Sequence, residues 1–388
     1  MNKFIPLSVP NLQGNELKYV SNCINTEWVS TGGSYINKFE DNIAEYLNVS
    51  CAAACQSGTA AIHLALIKSN ISENDEVIVP ALTFIAAVNP VSYCNAYPVF
   101  MDCDDSLTMD MDKLEEFCEN ECEFLNGVLI NKKSRRKIKA VIIVHIFGNL
   151  ADMTKLMNIA ERYNLKVIED ATEALGSYYK DGVYADKFAG TIGDFGCYSF
   201  NGNKIITTGG GGMVVAKNKN DLKRIKYLST QAKDDPLNYI HNEIGYNYRM
   251  TNIQAALGVA QLEKLEKFIQ TKKENYKLYK DFFDNLNGVK MLDFKNNIRP
   301  NYWFYSLVLE NDNFDRNELI GKLESEKIQT RPIWGLIHEQ KPYKNCQSYK
   351  IEKAEYYYNK IINIPCSSNL NKNDIAVVSN KIKEVLNL

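Results

Sequence analysis

Lys139-Ala-Val-Ile-Ile-Val-His-Ile-Phe147, then Ala151-Asp-Met-Thr-Lys-Leu-Met-Asn-Ile-Ala-Glu-Arg-Tyr163, then Lys166-Val-Ile-Glu-Asp170 decide the fold. The first and third segments are short unbroken apolar runs. The middle one carries apolar residues at helical spacing. A strand that is apolar without alternation is buried on both faces, and parallel sheets covered by helices produce such strands. The pattern extends outward in both directions. Val77-Ile-Val-Pro80, Tyr97-Pro-Val-Phe-Met-Asp102, Cys197-Tyr-Ser-Phe200 and Met213-Val-Val-Ala216 read as further strands, and Ser57 to Lys68 as a helix. The class is α/β, with a mostly parallel central sheet flanked by helices and right-handed crossovers.

After about residue 250 the texture changes. Asn252 to Phe268 reads as a long helix that continues into a Lys- and Tyr-rich amphipathic stretch. Tyr302 to Glu310 reads as a strand, with helices over Arg316 to Glu326 and Asp374 to Leu388. This predicts a large domain over 1–250 and a smaller C-terminal α+β domain over 251–388. A chain of 388 residues exceeds what one core usually supports.

Composition narrows the function. A net charge of -2 offers no basic field for nucleic acid or an anionic membrane. The apolar runs are too short to span a bilayer, and the start of the chain lacks the apolar core of a secretory signal. The ten cysteines are scattered, with no CxxC pair and no zinc spacing, so no metal site is expected. Together these features predict a cytoplasmic protein. The basic run Lys132, Lys133, Arg135, Arg136 and Lys137 reads as a solvated loop tip rather than a binding patch.

Ligands of an open parallel sheet bind beyond the carboxyl ends of its strands, so polar residues there carry the information. Ser57-Gly58-Thr59 opens a helix and reads either as a plain N-cap or as a phosphate cradle. Asp170 ends a buried strand and needs a partner, which could be a protonated pyridine nitrogen, a structural arginine or backbone amides. Lys204 lies between a strand and the glycines 209–212. It reads as a surface lysine or as a partly desolvated amine suited to a Schiff base. The glycine run itself matches neither a dinucleotide nor a P-loop motif. In Gly245 to Asn252, capping accounts for Thr251 or Asn252 but leaves Asn247 and Arg249 without a local role. His63 reads as core, His145 as packing or a cofactor neighbour, and His241 as a loop residue. A phosphate cradle, a strand-end carboxylate and a lysine, in that chain order, are what a pyridoxal phosphate site requires.

The motifs Trp28-Val-Ser-Thr-Gly-Gly33, Ser57-Gly-Thr59, Asp75-Glu-Val-Ile-Val-Pro-Ala-Leu-Thr-Phe84, Glu169-Asp-Ala171, Ser199-Phe200 with Lys204, Tyr246-Asn-Tyr-Arg-Met-Thr251 and Arg331-Pro-Ile-Trp334 with His338 run through essentially the whole chain. In these the sequence resembles the nucleotide-sugar aminotransferases of the DegT/StrS type, which are fold-type I enzymes dependent on pyridoxal 5'-phosphate. Phe200 to Met213 and Gln231-Ala-Lys-Asp-Asp-Pro236 look most like the legionaminic-acid branch, itself similar to enzymes making bacillosamine precursors.

The resemblance implies roles residue by residue. Lys204 forms the Schiff base and relays the proton, and Asp170 pairs with the ring nitrogen. Gly58, Thr59 and Ser199 hold the phosphate, and Phe84 stacks on the ring. Glu173 stands where the family more often has Gln, near the ring hydroxyl. Asn247 reaches the phosphate of a neighbouring subunit, implying a homodimer with shared active sites. Arg249 takes the donor carboxylate, and Arg331, Trp334 and His338 line the sugar-nucleotide groove. The implied reaction moves an amino group from L-glutamate to a nucleotide-linked 4-keto-6-deoxy sugar, a 2-acetamido compound in legionaminic-type glycan biosynthesis. Alternatives are a bacillosamine-precursor or perosamine-type 4-aminotransferase, a pyridoxamine-dependent dehydratase, or a non-catalytic cofactor-binding regulator. A nicotinamide-dependent oxidoreductase is disfavoured because no GxGxxG follows the first strand.

Overall fold

Sixteen strands run along residues 3–388, the part of the chain that the computed structural model describes. The first ten are β1 (Ala52–Cys55), β2 (Glu76–Pro80), β3 (Tyr97–Met101), β4 (Cys122–Leu125), β5 (Val128–Asn131), β6 (Lys137–Val144), β7 (Lys166–Asp170), β8 (Tyr178–Tyr179), β9 (Phe195–Ser199) and β10 (Gly212–Ala216). Then follow β11 (Val289–Met291), β12 (Ile298–Arg299), β13 (Tyr305–Leu309), β14 (Arg331–Pro332), β15 (Ser348–Tyr349) and β16 (Ile361–Ile364).

The main sheet has the order β1-β10-β9-β7-β6-β2-β3-β15. From β9 through β15 every neighbouring pair is parallel, as the unbroken Val/Ile runs predict. Val141, Ile142 and Ile143 in β6 have no exposed surface. Helices Gly58–Lys68, Met111–Asn120 and Met153–Tyr163 connect the strands. Asp110 and Asp152 cap the latter two by accepting bonds from their first backbone amides.

Besides the β4–β5 hairpin, which adds antiparallel to β6, strand β10 departs from the parallel arrangement. It runs antiparallel to β9, with Ser199 opposite Gly212. The intervening residues 200–211 therefore bulge out at the carboxyl end of β9, which is where Lys204 lies. Gly211 in this loop has φ +157°, and a Cβ there would stand 2.3 Å from the Thr208 hydroxyl. Gly209 and Gly212 likewise need glycine for conformation or space, whereas a Cβ on Gly210 would meet only Gln254 Nε2 at 3.8 Å.

The sequence reading overlooked two features. Ala52–Cys55 is a strand, although its alanines carry little strand propensity, because both its faces are buried. Asn126-Gly127, with φ 52° and 78°, closes a hairpin between β4 and β5. The basic run lies in the turn from β5 into β6, where Lys132, Lys133 and Arg135 are exposed. The expected helix over 252–268 is two helices, Asn252–Leu262 and Leu265–Phe283. The first opens with a full capping box between Thr251 and Gln254.

The C-terminal part forms an antiparallel sheet, β11-β13-β16-β14, packed with helices Leu265–Phe283, Arg316–Ser325 and Lys372–Leu386. The chain crosses between its two parts more than once. Ile5 pairs with Ile328, and β15 adds to the edge of the main sheet beside β3. All ten cysteines are free, and no described helix is long and apolar enough to cross a membrane.

Candidate active site

A cavity of about 680 Å³ opens beyond the carboxyl ends of β7 and β9. One wall is the start of helix Gly58–Lys68. The Ser57 hydroxyl accepts from the Ala60 amide at 3.0 Å, which satisfies one end-group and leaves the amides of Gly58 and Thr59 at the cavity. The close approach is specific to glycine. A Cβ on Gly58 would stand 2.9 Å from both Ser199 Cβ and Thr172 Cγ2 and fill the cradle. Free amides at a helix N-terminus, with the Ser199 hydroxyl beside them, suit a phosphate.

Asp170 closes β7 at the inner end of the cavity and is 3% exposed. Its Oδ1 accepts from the Thr172 amide at 3.0 Å. Burial raises its pKa, and the Thr172 bonds, Lys204 and His145 pull the other way. A buried carboxylate held by so few donors fits a cationic ring nitrogen as its partner. The preceding Glu169 is structural: it accepts from the amides of Gly190, Ile192 and Gly193 and meets His145 Nε2 at 2.8 Å. His145 Nδ1 accepts from the Ala151 amide, so the ring proton sits on Nε2. His145 is fully buried and does not line the cavity, and His63 is buried against Tyr248. His241 is exposed on a loop.

Lys204 projects into the same space. Its Nζ lies 3.7 Å from Glu173 Oε1 and 4.0 Å from the centre of the Trp303 ring. The loop is held from both sides. The Lys204 amide bonds to the Asn201 carbonyl at 3.0 Å, and the Trp303 indole donates to the Asn203 carbonyl at 2.7 Å. Burial lowers the pKa of the amine, opposed by Glu173 and Asp170. Burial also pushes the Glu173 carboxyl up to about 7 against the pull of Lys204. One Glu173 oxygen is fixed by the Phe147 amide at 2.8 Å, leaving the other toward Lys204. The cradle, the inner carboxylate and the desolvated amine fit pyridoxal phosphate.

The opposite wall comes from the C-terminal part: Trp303, Phe304, Arg331, Trp334 and Asn363. Phe84 faces it across the opening, 52% exposed, its ring 6.1 Å from that of Trp334.

The structure thus brings together Gly58, Thr59, Phe84, Asp170, Glu173, Ser199, Lys204, Arg331 and Trp334. Three expected residues lie outside this chain's cavity. Asn247 is exposed, its backbone bridged to Thr230. Arg249 is turned away: its guanidinium is 3.9 Å from buried Glu40, and its Nε bonds the Thr31 carbonyl. His338 packs its ring toward Phe100 at 6.2 Å, because the 3-10 turn Ile337–Glu339 carries it behind the wall. Sequence reasoning missed Trp303, Phe304 and Asn363. The apolar run 302–310 reads as one strand, yet Tyr302 has φ 55° and β13 starts only at Tyr305. The break frees Trp303 and Phe304 to face the site.

Comparison with known proteins agrees with this geometry. The family model described as "DegT/DnrJ/EryC1/StrS aminotransferase family" matches residues 10–383. A GDP-perosamine synthase of Escherichia coli O157:H7 is 38% identical over 385 residues, covering 98% of each chain. A UDP-4-amino-4,6-dideoxy-N-acetyl-beta-L-altrosamine transaminase of Campylobacter jejuni is 29% identical over 389 residues, covering 98% of this chain and 97% of that one. The crystal structure of a DegT DnrJ EryC1 StrS aminotransferase from Brucella abortus superposes with a TM-score of 0.85 at 26% identity, covering 95% of both chains.

Proposed function

The chain belongs to the DegT/DnrJ/EryC1/StrS aminotransferase family, and on that premise we propose that it moves an amino group from L-glutamate to the 4-keto carbon of a nucleotide-linked 6-deoxy sugar. It is a pyridoxal-phosphate-dependent sugar aminotransferase. The observation that carries the reading is the Lys204 amine, desolvated beside Glu173 and Trp303 in the cavity that also holds Asp170 and the Gly58–Thr59 amides.

The cofactor supplies an electron-accepting ring and the carbonyl that exchanges the amine. The chain supplies the rest. Gly58, Thr59 and Ser199 would anchor the phosphate, and Asp170 would keep the ring nitrogen protonated. Phe84 would pack on the ring, and Glu173 would stand beside Lys204 and the ring. Lys204 would hold the cofactor and serve as general base and acid for the proton that moves. The wall of Trp303, Phe304 and Trp334 excludes water from that proton.

A second copy completes the assembly in this reading. Asn247 projects outward and can reach a partner's phosphate. Trp28, Leu237 and Ile244, 61%, 83% and 85% exposed, are apolar side chains that a second copy would cover in this reading.

The sugar is a 2-acetamido-2,6-dideoxy-4-keto compound of legionaminic-type synthesis, supported by the Phe200 to Met213 and Gln231 to Pro236 stretches. A perosamine-type GDP sugar is the second reading, supported by the 38% identity to a GDP-perosamine synthase.

Absorption of the holoenzyme tests the proposal. L-glutamate should bleach the visible band of the bound cofactor, and borohydride beforehand should trap the label on Lys204. A panel of UDP- and GDP-linked 4-keto sugars, restoring the band on amine transfer, then separates the two sugar readings. A band indifferent to every amino acid would defeat the proposal.

A further inference from the structure

Three side chains form one polar row across the small sheet. In the antiparallel register Ser306 of β13 stands opposite Asn363 of β16, and Asn363 opposite Arg331 of β14. Directly opposed residues share a face, so all three project the same way. The strands carrying Ser306 and Asn363 are otherwise almost wholly apolar and buried. Ser306 is 3% and Asn363 4% exposed. A polar pair in such a setting is costly unless it is hydrogen-bonded.

The orientation is fixed. The Ser306 hydroxyl donates to Asn363 Oδ1 at 2.7 Å, which turns the acceptor end of the amide toward Ser306. Asn363 Nδ2 has no protein partner among the described residues and is not sealed from the cavity that Asn363 lines. Beside it, the Arg331 guanidinium gives one bond to the Thr330 carbonyl and meets no carboxylate among the described residues. The polar groups that the row leaves open are therefore donors. Donors alone, with a positive charge, complement an anion that only accepts.

We propose that Arg331 and Asn363, oriented by Ser306, form the receptor for the carboxylate of the amino-acid donor. The inference rests on the aminotransferase reading and assigns one substrate group within it. Lys204 and Arg331 are the only cations lining the cavity among the described residues, and Lys204 is occupied with the cofactor. A carboxylate ends its molecule and can seat against Asn363, itself only 4% exposed. A diphosphate is flanked on both sides by larger groups and cannot terminate there. Arg249, expected in this role from the sequence, already faces Glu40.

Glutarate, a dicarboxylate with no amine to transfer, is titrated calorimetrically into holoenzyme of the wild type, Arg331→Gln, Asn363→Asp and Ser306→Ala. Arg331→Gln should weaken glutarate binding by about 10- to 100-fold. Asn363→Asp should do so similarly by adding repulsion, and Ser306→Ala less. The KM for L-glutamate should rise in step, while the KM for the sugar nucleotide stays within about twofold. Arg331 is exposed, so its variant keeps the test valid if Asn363→Asp fails to fold. Equal glutarate affinity in wild type and Arg331→Gln overturns the proposal. So does a rise in the sugar-nucleotide KM alone, which would assign the receptor to the diphosphate. If no amino acid exchanges its amine with the wild type, the aminotransferase reading fails and this inference with it; equal glutarate affinity with exchange intact overturns this inference alone.

Discussion

Lys204 is largely and Lys272 almost wholly withdrawn from solvent, and burial lowers the pKa of both amines, yet their surroundings differ in kind. Lys204 ends in a cavity, 3.7 Å from one carboxylate and within the field of a second, with an aromatic ring at its back. Lys272, on helix Leu265–Phe283, is 4% exposed and donates to the Cys366 carbonyl, with the Tyr305 ring centre 5.3 Å away. No carboxylate pairs with it among the described residues, and it lines no cavity. Desolvation alone therefore does not make a lysine a reagent. Access to a substrate and nearby acids that can accept or return a proton make the difference.

The most severe way to test that contrast is to remove the two amines in turn. Lys204→Ala should lose at least ~10⁴-fold in turnover, because no other base in the cavity can both hold the cofactor and relay the proton. Single-turnover amine exchange with L-glutamate measures it. Turnover within tenfold of wild type would mean that the cavity does not depend on its lysine.

The two walls of the cavity also differ in how far the sequence reveals them. Lys204 and Asp170 are legible because they sit at the ends of strands whose unbroken apolar runs announce a parallel sheet. The position of a polar residue along the chain then equals its position in space. The SGT turn is legible for a different reason: it opens a strongly helical run, Gly58–Lys68. Arg331, Asn363 and Ser306 meet only through the register of antiparallel strands from distant segments, which no local pattern encodes. Trp303 is hidden by the positive φ of Tyr302, which ends what reads as a continuous strand. His338 and Arg249 carry the right chemistry, but a 3-10 turn and the buried Glu40 point them elsewhere. Lys272 reads as one more cation in a Lys-rich helix, and only packing separates it from exposed Lys273.

Glu173 sharpens the comparison by isolating what the acids contribute. Its carboxyl, pushed up to about 7 from an ordinary 4.5, loses its proton near neutrality, and its negative charge then favours the ammonium form of Lys204. Glu173→Gln removes that charge at every pH, so the amine should hold its proton less tightly. In cofactor-free protein at pH 8 to 9, trinitrophenylation of Lys204, followed by peptide mapping, should be about three- to tenfold faster in the variant, for a shift of roughly half to one pKa unit. The rates of the two proteins should converge as pH falls below about 7, where wild-type Glu173 is itself neutral. An unchanged or slower rate at pH 8 to 9 would show that Glu173 does not govern the amine.

Lys272→Met is the smallest expected effect and the one most able to break the contrast. Methionine fills a similar volume without a charge to desolvate, while the Cys366 carbonyl loses a donor worth about 1 kcal/mol. The two terms oppose, so stability near pH 7 should change by no more than about 2 kcal/mol in urea denaturation, and turnover should stay within about twofold. The pH dependence carries more information than the midpoint. Because the folded-state pKa of Lys272 lies below the ordinary 10.5, the unfolded chain binds more protons between the two values. Wild-type stability therefore gains a positive slope with pH across that window, from the lowered value up to 10.5. The variant lacks that contribution, so the stability difference between the proteins should shift in favour of the wild type as pH rises toward 10.5. A Lys272→Met protein that folds but loses turnover would give the second lysine a part in the chemistry, and the distinction drawn from their surroundings would fall.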